Sequence, residues 1–239
     1  MWTLWIPASI DHVRLLFPEP RVDVEVDDLY RALPARTGKH PWVGLCMVAS
    51  LDGTTEVNGR SGALGNRTDS EVLRALRSRA DVVIVGSRTA HIERYRAPSK
   101  TGQRVGVVTS TGDIDLSLPL FTSGAGFLIT TADAPTHGLH AIRSHGPSVD
   151  LAEAIAQLDA DVVHAEGGPT LNAALLEADL VDELNLTVAP HLVGGSGQRL
   201  VGLTTAESLR SMDLVHVATD DSYLFLRYAR AAQAGSTTR

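Results

Sequence analysis

Apolar residues gather in unbroken blocks through the middle of the chain and alternate with polar ones near its end. Residues 43–49 form the first block, closed by Ser50-Leu51-Asp52-Gly53, which reads as a buried strand followed by a turn. Val82-Val83-Ile84-Val85-Gly86 is almost wholly β-branched, the pattern of a strand covered on both faces. Residues 104–109, 126–130 and 161–165 repeat that character. Between the blocks the period becomes helical. Thr68-Asp69-Ser70-Glu71 has the form of a capping box with Thr68 as N-cap, and Val72, Leu73 and Leu76 follow at helical spacing to about Arg79. Leu151, Ile155 and Leu158 mark a second helix, and Gly167-Gly168-Pro169 opens a third that runs to about Glu177.

The last quarter changes pattern. Leu184, Leu186 and Val188 alternate with polar neighbours, and residues 214–217 and 223–228 flank Thr219-Asp220-Asp221-Ser222 as a hairpin. The order predicts an α/β fold: a mixed, mostly parallel central sheet with helices on both faces and antiparallel C-terminal strands. Residues 1–40 differ from the rest, with Pro18, Pro20 and Pro34 set among Asp23, Glu25, Asp27 and Asp28. They read as an arm with at most one short helix near residues 27–33, draped over a body at 41–230. Residues 231–239 read as a flexible tail.

Composition narrows the function. The 239 residues hold 21 Lys+Arg against 28 Asp+Glu, a net charge of −7 with no basic run, so nucleic acid is not an expected partner. A single cysteine, Cys46, excludes a disulfide scaffold and a zinc knuckle. No apolar stretch approaches the roughly 20 residues of a membrane span, and the first residues lack the basic start of a secretory signal. A globular, cytoplasmic protein is expected. GxGxxG after a strand, GxxxxGK[ST], HExxH and GxSxG are all missing. The nine histidines are scattered, and no metal site is expected.

Four features carry candidate chemistry. Glu166-Gly167-Gly168-Pro169-Thr170-Leu171 joins the carboxyl end of a buried strand to a helix start, the edge where open α/β sheets bind ligands. The glycines and the helix N–H groups suit an anion such as a pyrophosphate; a plain strand-to-helix turn is the equal alternative. Glu166, a carboxylate closing an apolar strand, needs a partner and suits a substrate hydroxyl or amine. Gly86-Ser87-Arg88-Thr89 follows a second buried strand, where it either holds phosphate or ribose oxygens or caps the next helix. Asp52 is a ligand contact or a turn residue. On the capped helix, Arg74 and Arg77 share a face that either meets phosphate or faces water, and Asp69 stands at the helix start.

Taken in order, these pieces resemble a known family. Val48-Ala49-Ser50-Leu51-Asp52-Gly53, Ser61-Gly62, Leu76-Arg77, Ala80 through Gly86, Thr89, Glu166 through Leu171, Val181-Asp182-Glu183-Leu184 and Ala189 through Gly195 follow the order of the reductase domain of bacterial riboflavin biosynthesis, over about residues 42–229. The resemblance implies a dihydrofolate-reductase-like fold and NADPH-dependent reduction of a phosphoribosylamino-pyrimidine to its ribitylamino product. It implies cofactor contacts at Ala49, Asp52, Gly86, Thr89, Glu93, Ser110 and Gly167 through Leu171, including Gly168, Pro169 and Thr170. It implies substrate contacts at Ser61, Asp69, Arg77 and Glu166, with Arg77 on the 5-phosphate and Glu166 as the catalytic residue. Ser110 with Arg88 is the expected basis of NADPH preference. A homodimer is implied as well. The zinc deaminase fused to bifunctional relatives needs more cysteines than this chain has, so a separate deaminase would supply the substrate.

The chain departs from the bifunctional pattern at His91-Ile92-Glu93-Arg94-Tyr95, where those relatives show an Asp-Asp-Pro run. Asp69 is a second departure, and an acid there suits the guanidine-like edge of a pterin. The alternatives are therefore reduction of another heterocycle such as dihydrofolate, or a non-catalytic nucleotide-binding module of the same fold.

Overall fold

A computed structural model describes residues 13–32 and 40–231. Along the chain its elements are β1 (Arg14–Phe17), α1 (Val26–Tyr30), β2 (Trp42–Ser50), α2 (Arg67–Arg79), β3 (Val82–Gly86), α3 (Ser87–Ile92), β4 (Arg104–Thr109) and α4 (Pro119–Thr122). They continue with β5 (Gly126–Thr131), β6 (Ala141–Ser144), α5 (Leu151–Ala156), β7 (Val162–Ala165), α6 (Pro169–Glu177), β8 (Glu183–Ala189), β9 (Met212–Asp220) and β10 (Tyr223–Arg230). The strands make one ten-stranded sheet in the order β1-β9-β10-β8-β2-β7-β3-β4-β5-β6. From β8 to β6 every neighbour runs parallel, and β10, β9 and β1 add on antiparallel.

The buried blocks become the centre of the sheet because both of their faces are covered. Val43 and Leu45 of β2 pack with Ile155 of α5 and with Leu171 and Leu175 of α6. Cys46 and Val48 point the other way, toward Tyr30 of α1 and Val72 and Leu76 of α2. Farther along the sheet, Val83 and Val85 of β3 meet Leu120 and Phe121 of α4.

The observed elements depart from expectation in three places, and the facing of β8 adds a detail that the alternation left open. The α2 helix is capped by Asn66, whose Oδ1 accepts the Asp69 N–H at 2.8 Å; Thr68 lies inside the first turn, where its hydroxyl donates to Asp220 at 2.5 Å. The segment read as an arm supplies the helix α1 and also an edge strand, β1, because Leu15 and Tyr30 both bury against the α2 face of the sheet. Other parts of that segment, residues 1–12 and 33–39, and the tail at 232–239 lie outside the described residues. The hairpin turn is only Asp221-Ser222, both at positive φ (43° and 70°), as a two-residue connection between twisted strands requires. On β8 it is Glu183, Asn185 and Thr187 that point inward, while Leu184, Leu186 and Val188 stay half-buried. Arg227 of β10 makes this possible by pairing with Glu183 at 2.7 Å, and Asn185 bonds both Glu183 and the Leu45 carbonyl.

Candidate active site

The parallel strands β2, β7 and β3 end side by side, and a cleft of about 210 Å³ opens at their carboxyl edge. A concave site at that edge of an α/β sheet suits a small-molecule ligand. Two adjacent strand ends are tied by their backbones: the Gly86 N–H donates to the Gly167 carbonyl at 2.9 Å, and the Glu166 N–H donates to the Ile84 carbonyl at 3.0 Å. The Gly167–Gly168 peptide is cis. A Cβ on Gly168 would stand 2.5 Å from the Thr89 hydroxyl oxygen, which accepts the Gly168 N–H at 3.2 Å. A Cβ on Gly167 would stand 2.7 Å from the Met47 sulfur, at a φ of +75°. Both positions therefore need glycine.

The α6 helix begins in this cleft with no side-chain cap and with proline in its first turn. Its uncapped start, with Thr89 and Arg88 beside it, fits an anionic group. The residues present thus suit the phosphates of a dinucleotide.

On the α2 side of the cleft lies a buried charge cluster. Arg77 grips Glu166 with both arms, Nε to Oε1 and Nη2 to Oε2, each at 2.5 Å. The Tyr95 hydroxyl donates to Oε2 at 2.7 Å, and His164 Nε2 stands 3.4 Å from Oε1. Burial pushes the Glu166 carboxyl up, but the Arg77 fork, His164 and Tyr95 outweigh it, so the group sits below the ordinary glutamate value and is ionised. Burial, then the charge of Glu166, raises the Tyr95 phenol well above the usual tyrosine value. Burial lowers His164, whose ring is neutral at pH 7. Asp69 lines the same cleft, its carboxyl raised by burial and partly relieved by the Thr187 hydroxyl.

The structure brings most of the predicted residues to one place and assigns others elsewhere. Ser61, Asp69, Thr89 and Glu93 line the cleft, as do Glu166, Gly168, Pro169 and Thr170. Ser61 and Glu93, read as substrate and cofactor contacts, are bound to each other: the Ser61 N–H and hydroxyl both donate to Glu93 Oε1 at 3.0 Å. Arg77 is turned to Glu166 instead of standing free. Ala49 and Leu171 are buried behind the cleft wall, and Gly86 and Gly167 shape it through the backbone. Asp52 ties loops together, accepting from the Ser50 hydroxyl at 2.6 Å and the Gly194 N–H at 2.7 Å. Ser110 is exposed beyond β4 and does not line the cleft, whereas Arg88 does. Tyr95, which lines the cleft and bonds Glu166, was given no role by sequence reasoning; an aromatic in a polar run just after a helix is the signal that marks it. Gln198 also lines the cleft, brought there from the β8–β9 loop by a bond from the Thr55 N–H to its carbonyl, and nothing local in the sequence announces it. Among the described residues no group of three or more His, Cys, Asp and Glu is placed to hold a metal ion.

Comparison with known proteins adds a family. Residues 41–226 match the family described as the RibD C-terminal domain. A 2,5-diamino-6-ribosylamino-4(3H)-pyrimidinone 5′-phosphate reductase of Methanothermobacter thermautotrophicus is 26% identical over 203 residues, which cover 77% of this chain and 93% of that protein. A pyrimidine reductase-like protein of Corynebacterium diphtheriae superposes with a TM-score of 0.75 at 24% identity, over 87% of this chain and 100% of that one. RibD of Acinetobacter baumannii superposes with a TM-score of 0.69 at 20% identity, over 83% of this chain but only 60% of that one.

Proposed function

Because the chain belongs to the RibD C-terminal domain family, we propose that it is a reductase of riboflavin biosynthesis that converts a 5-phosphoribosylamino-pyrimidine to its ribitylamino product with NADPH. One observation carries the reading: a single cleft joins an uncapped, glycine-led helix start to a fixed carboxylate–guanidinium–phenol cluster. The first suits a dinucleotide and the second a sugar. The bound coenzyme supplies the hydride. The chain's own residues orient and screen. Gly168, Thr89 and the start of α6 receive the phosphates, and Arg88, which lines the cleft as Ser110 does not, is assigned to the 2′-phosphate that separates NADPH from NADH. Ser61 and Glu93, bonded to each other, form the wall where the two ligands meet. Arg77 reaches the 5-phosphate through Nη1, since Nε and Nη2 serve Glu166. Tight alignment of two bound reactants is the main task when the coenzyme brings the chemistry.

The 2,5-diamino pyrimidine is the preferred form in this reading, after the Methanothermobacter relative. Asp69, a cleft carboxylate, suits the amino-bearing edge of that ring. The same observation favours a second substrate, dihydrofolate, whose pterin carries a similar edge. We assign the protein to the cytoplasm; among the described residues no helix is long and apolar enough to cross a membrane. Deamination is assigned to a separate catalytic unit, and the chain to a homodimer. A spectrophotometric NADPH-oxidation assay offering the phosphoribosylamino-pyrimidine and dihydrofolate side by side tests the reading. Turnover of the pyrimidine is expected, and its absence would overturn the assignment.

A further inference from the structure

The lone-pair positions of Glu166 are nearly all filled. A carboxylate offers about four of them. Arg77 takes one on each oxygen, Tyr95 takes a second on Oε2, and His164 stands at 3.4 Å from Oε1. The one position left, on Oε1, lies beside the buried His164 Nε2, which makes no hydrogen bond. The Arg77 fork also keeps it ionised, and an ionised carboxylate only accepts hydrogen bonds. The phenol proton of Tyr95 is therefore fixed toward Glu166, and its oxygen is left as an acceptor. Arg77 lies over the Tyr95 ring, its Cζ 5.7 Å from the ring centroid. The acceptor capacity of the phenol oxygen belongs to the cleft, which Tyr95 lines.

We propose that the Tyr95 phenol oxygen accepts a hydrogen bond from the exocyclic N–H of the substrate, the nitrogen that carries C1′ of the sugar, and that Glu166 acts through Tyr95 as a positioning residue. The inference rests on the functional reading above. When the sugar opens, the C1′–O4′ bond breaks, O4′ leaves as a hydroxyl with a proton taken from water, and the nitrogen lone pair forms a C=N bond. The N–H then carries positive charge. When C1′ gains a hydride, the C=N electron pair returns to nitrogen, which keeps its own proton throughout. One hydride from NADPH and one proton from water are consumed. A phenol oxygen polarised by a carboxylate binds the cationic N–H more strongly than the neutral amine, so the bond acts on the barrier more than on substrate affinity.

The test compares wild type, Tyr95→Phe, Glu166→Gln and the double variant, measuring kcat and KM for the phosphoribosylamino-pyrimidine and the NADPH dissociation constant by fluorescence titration. Tyr95→Phe is expected to lower kcat by about 10- to 100-fold, the effect of one charge-assisted hydrogen bond, with KM changed far less. NADPH affinity and melting temperature are expected to stay near wild type, which a merely structural role would not allow. The double variant is expected to be no slower than Glu166→Gln, because both residues act through one oxygen. Wild-type kcat in Tyr95→Phe, or additive losses in the double variant, would overturn the inference while leaving the functional reading in place. No pyrimidine turnover by the wild type would overturn both. Should Glu166→Gln fail to fold, the Tyr95→Phe result decides alone.

Discussion

Asp52 gathers the Ser50 hydroxyl and the Val193 and Gly194 N–H groups onto one carboxylate, and so fastens the loop after β8 to the end of β2. The Ser50 hydroxyl, then the Gly194 and Val193 amides, lower its pKa from 3.8 to about 2. The folded value lies below the unfolded one, so the stabilisation is complete above pH 3.8 and is lost as pH falls toward about 2. In Asp52→Asn that part of the acid-side fall in melting temperature should disappear, as a series of thermal melts from pH 5 to pH 2 would show. An unchanged acid profile would remove the clamp. The Asp-Gly pair marked this site in the sequence, but a carboxylate in a turn does not announce whether its donors will be a ligand or a loop 142 residues away.

The α6 helix and the β3–α3 junction meet at Gly168 and Thr89, with no spare volume between them. Gly168→Ala should force the two apart, with an overpacking cost of about 1–3 kcal/mol. Because the start of α6 is the proposed phosphate seat, NADPH affinity should fall about tenfold or more, each tenfold step being about 1.4 kcal/mol. A fluorescence titration checks it, and adding Thr89→Ala should recover part of the lost melting temperature, though not the affinity, by making room. Full affinity in Gly168→Ala would place the phosphates elsewhere. The glycine pair was legible in sequence because it closes a buried strand and opens a helix. The true cap of α2 was not: Asn66 and Thr68 are both good caps, and Thr68 was drawn off by Asp220 across the sheet.

One face of the C-terminal strands carries an apolar row that is only half-buried among the described residues. Leu224 pairs with Val188, Leu226 with Leu186 and Tyr228 with Leu184 across the β10–β8 ladder, while Leu214 and Val215 of β9 are more than a third exposed. Contiguous apolar surface of this kind marks an interaction site, and a stable dimer buries roughly 1,200–2,000 Å² in total. The proposed homodimer uses this face. Light scattering on a size-exclusion column should show a dimer for the wild type and a shift to monomer for Leu224→Arg, a position open enough to accept the charge without unfolding. A monomeric wild type at micromolar concentration would reject the interface. The alternation was visible in the sequence, but which set faces inward was not. The Glu183–Arg227 pair decided it by satisfying a charged row inside.

The residues alone settled the order of the central strands β2, β3, β4, β5 and β7 and of the helices α2, α5 and α6, but gave no sign of α4 or β6. A β-branched run such as Val82–Gly86 and a glycine pair closing a buried strand act through backbone preference and burial period, which depend on near neighbours in the chain. Who meets whom in the cleft was decided by the sheet. β7 follows β3 through β6 in the chain yet inserts between β2 and β3, and only that crossover carries Glu166 to Arg77 and Tyr95. A side chain's hydrogen-bond partners depend on which strand ends become neighbours, and no local pattern records that arrangement.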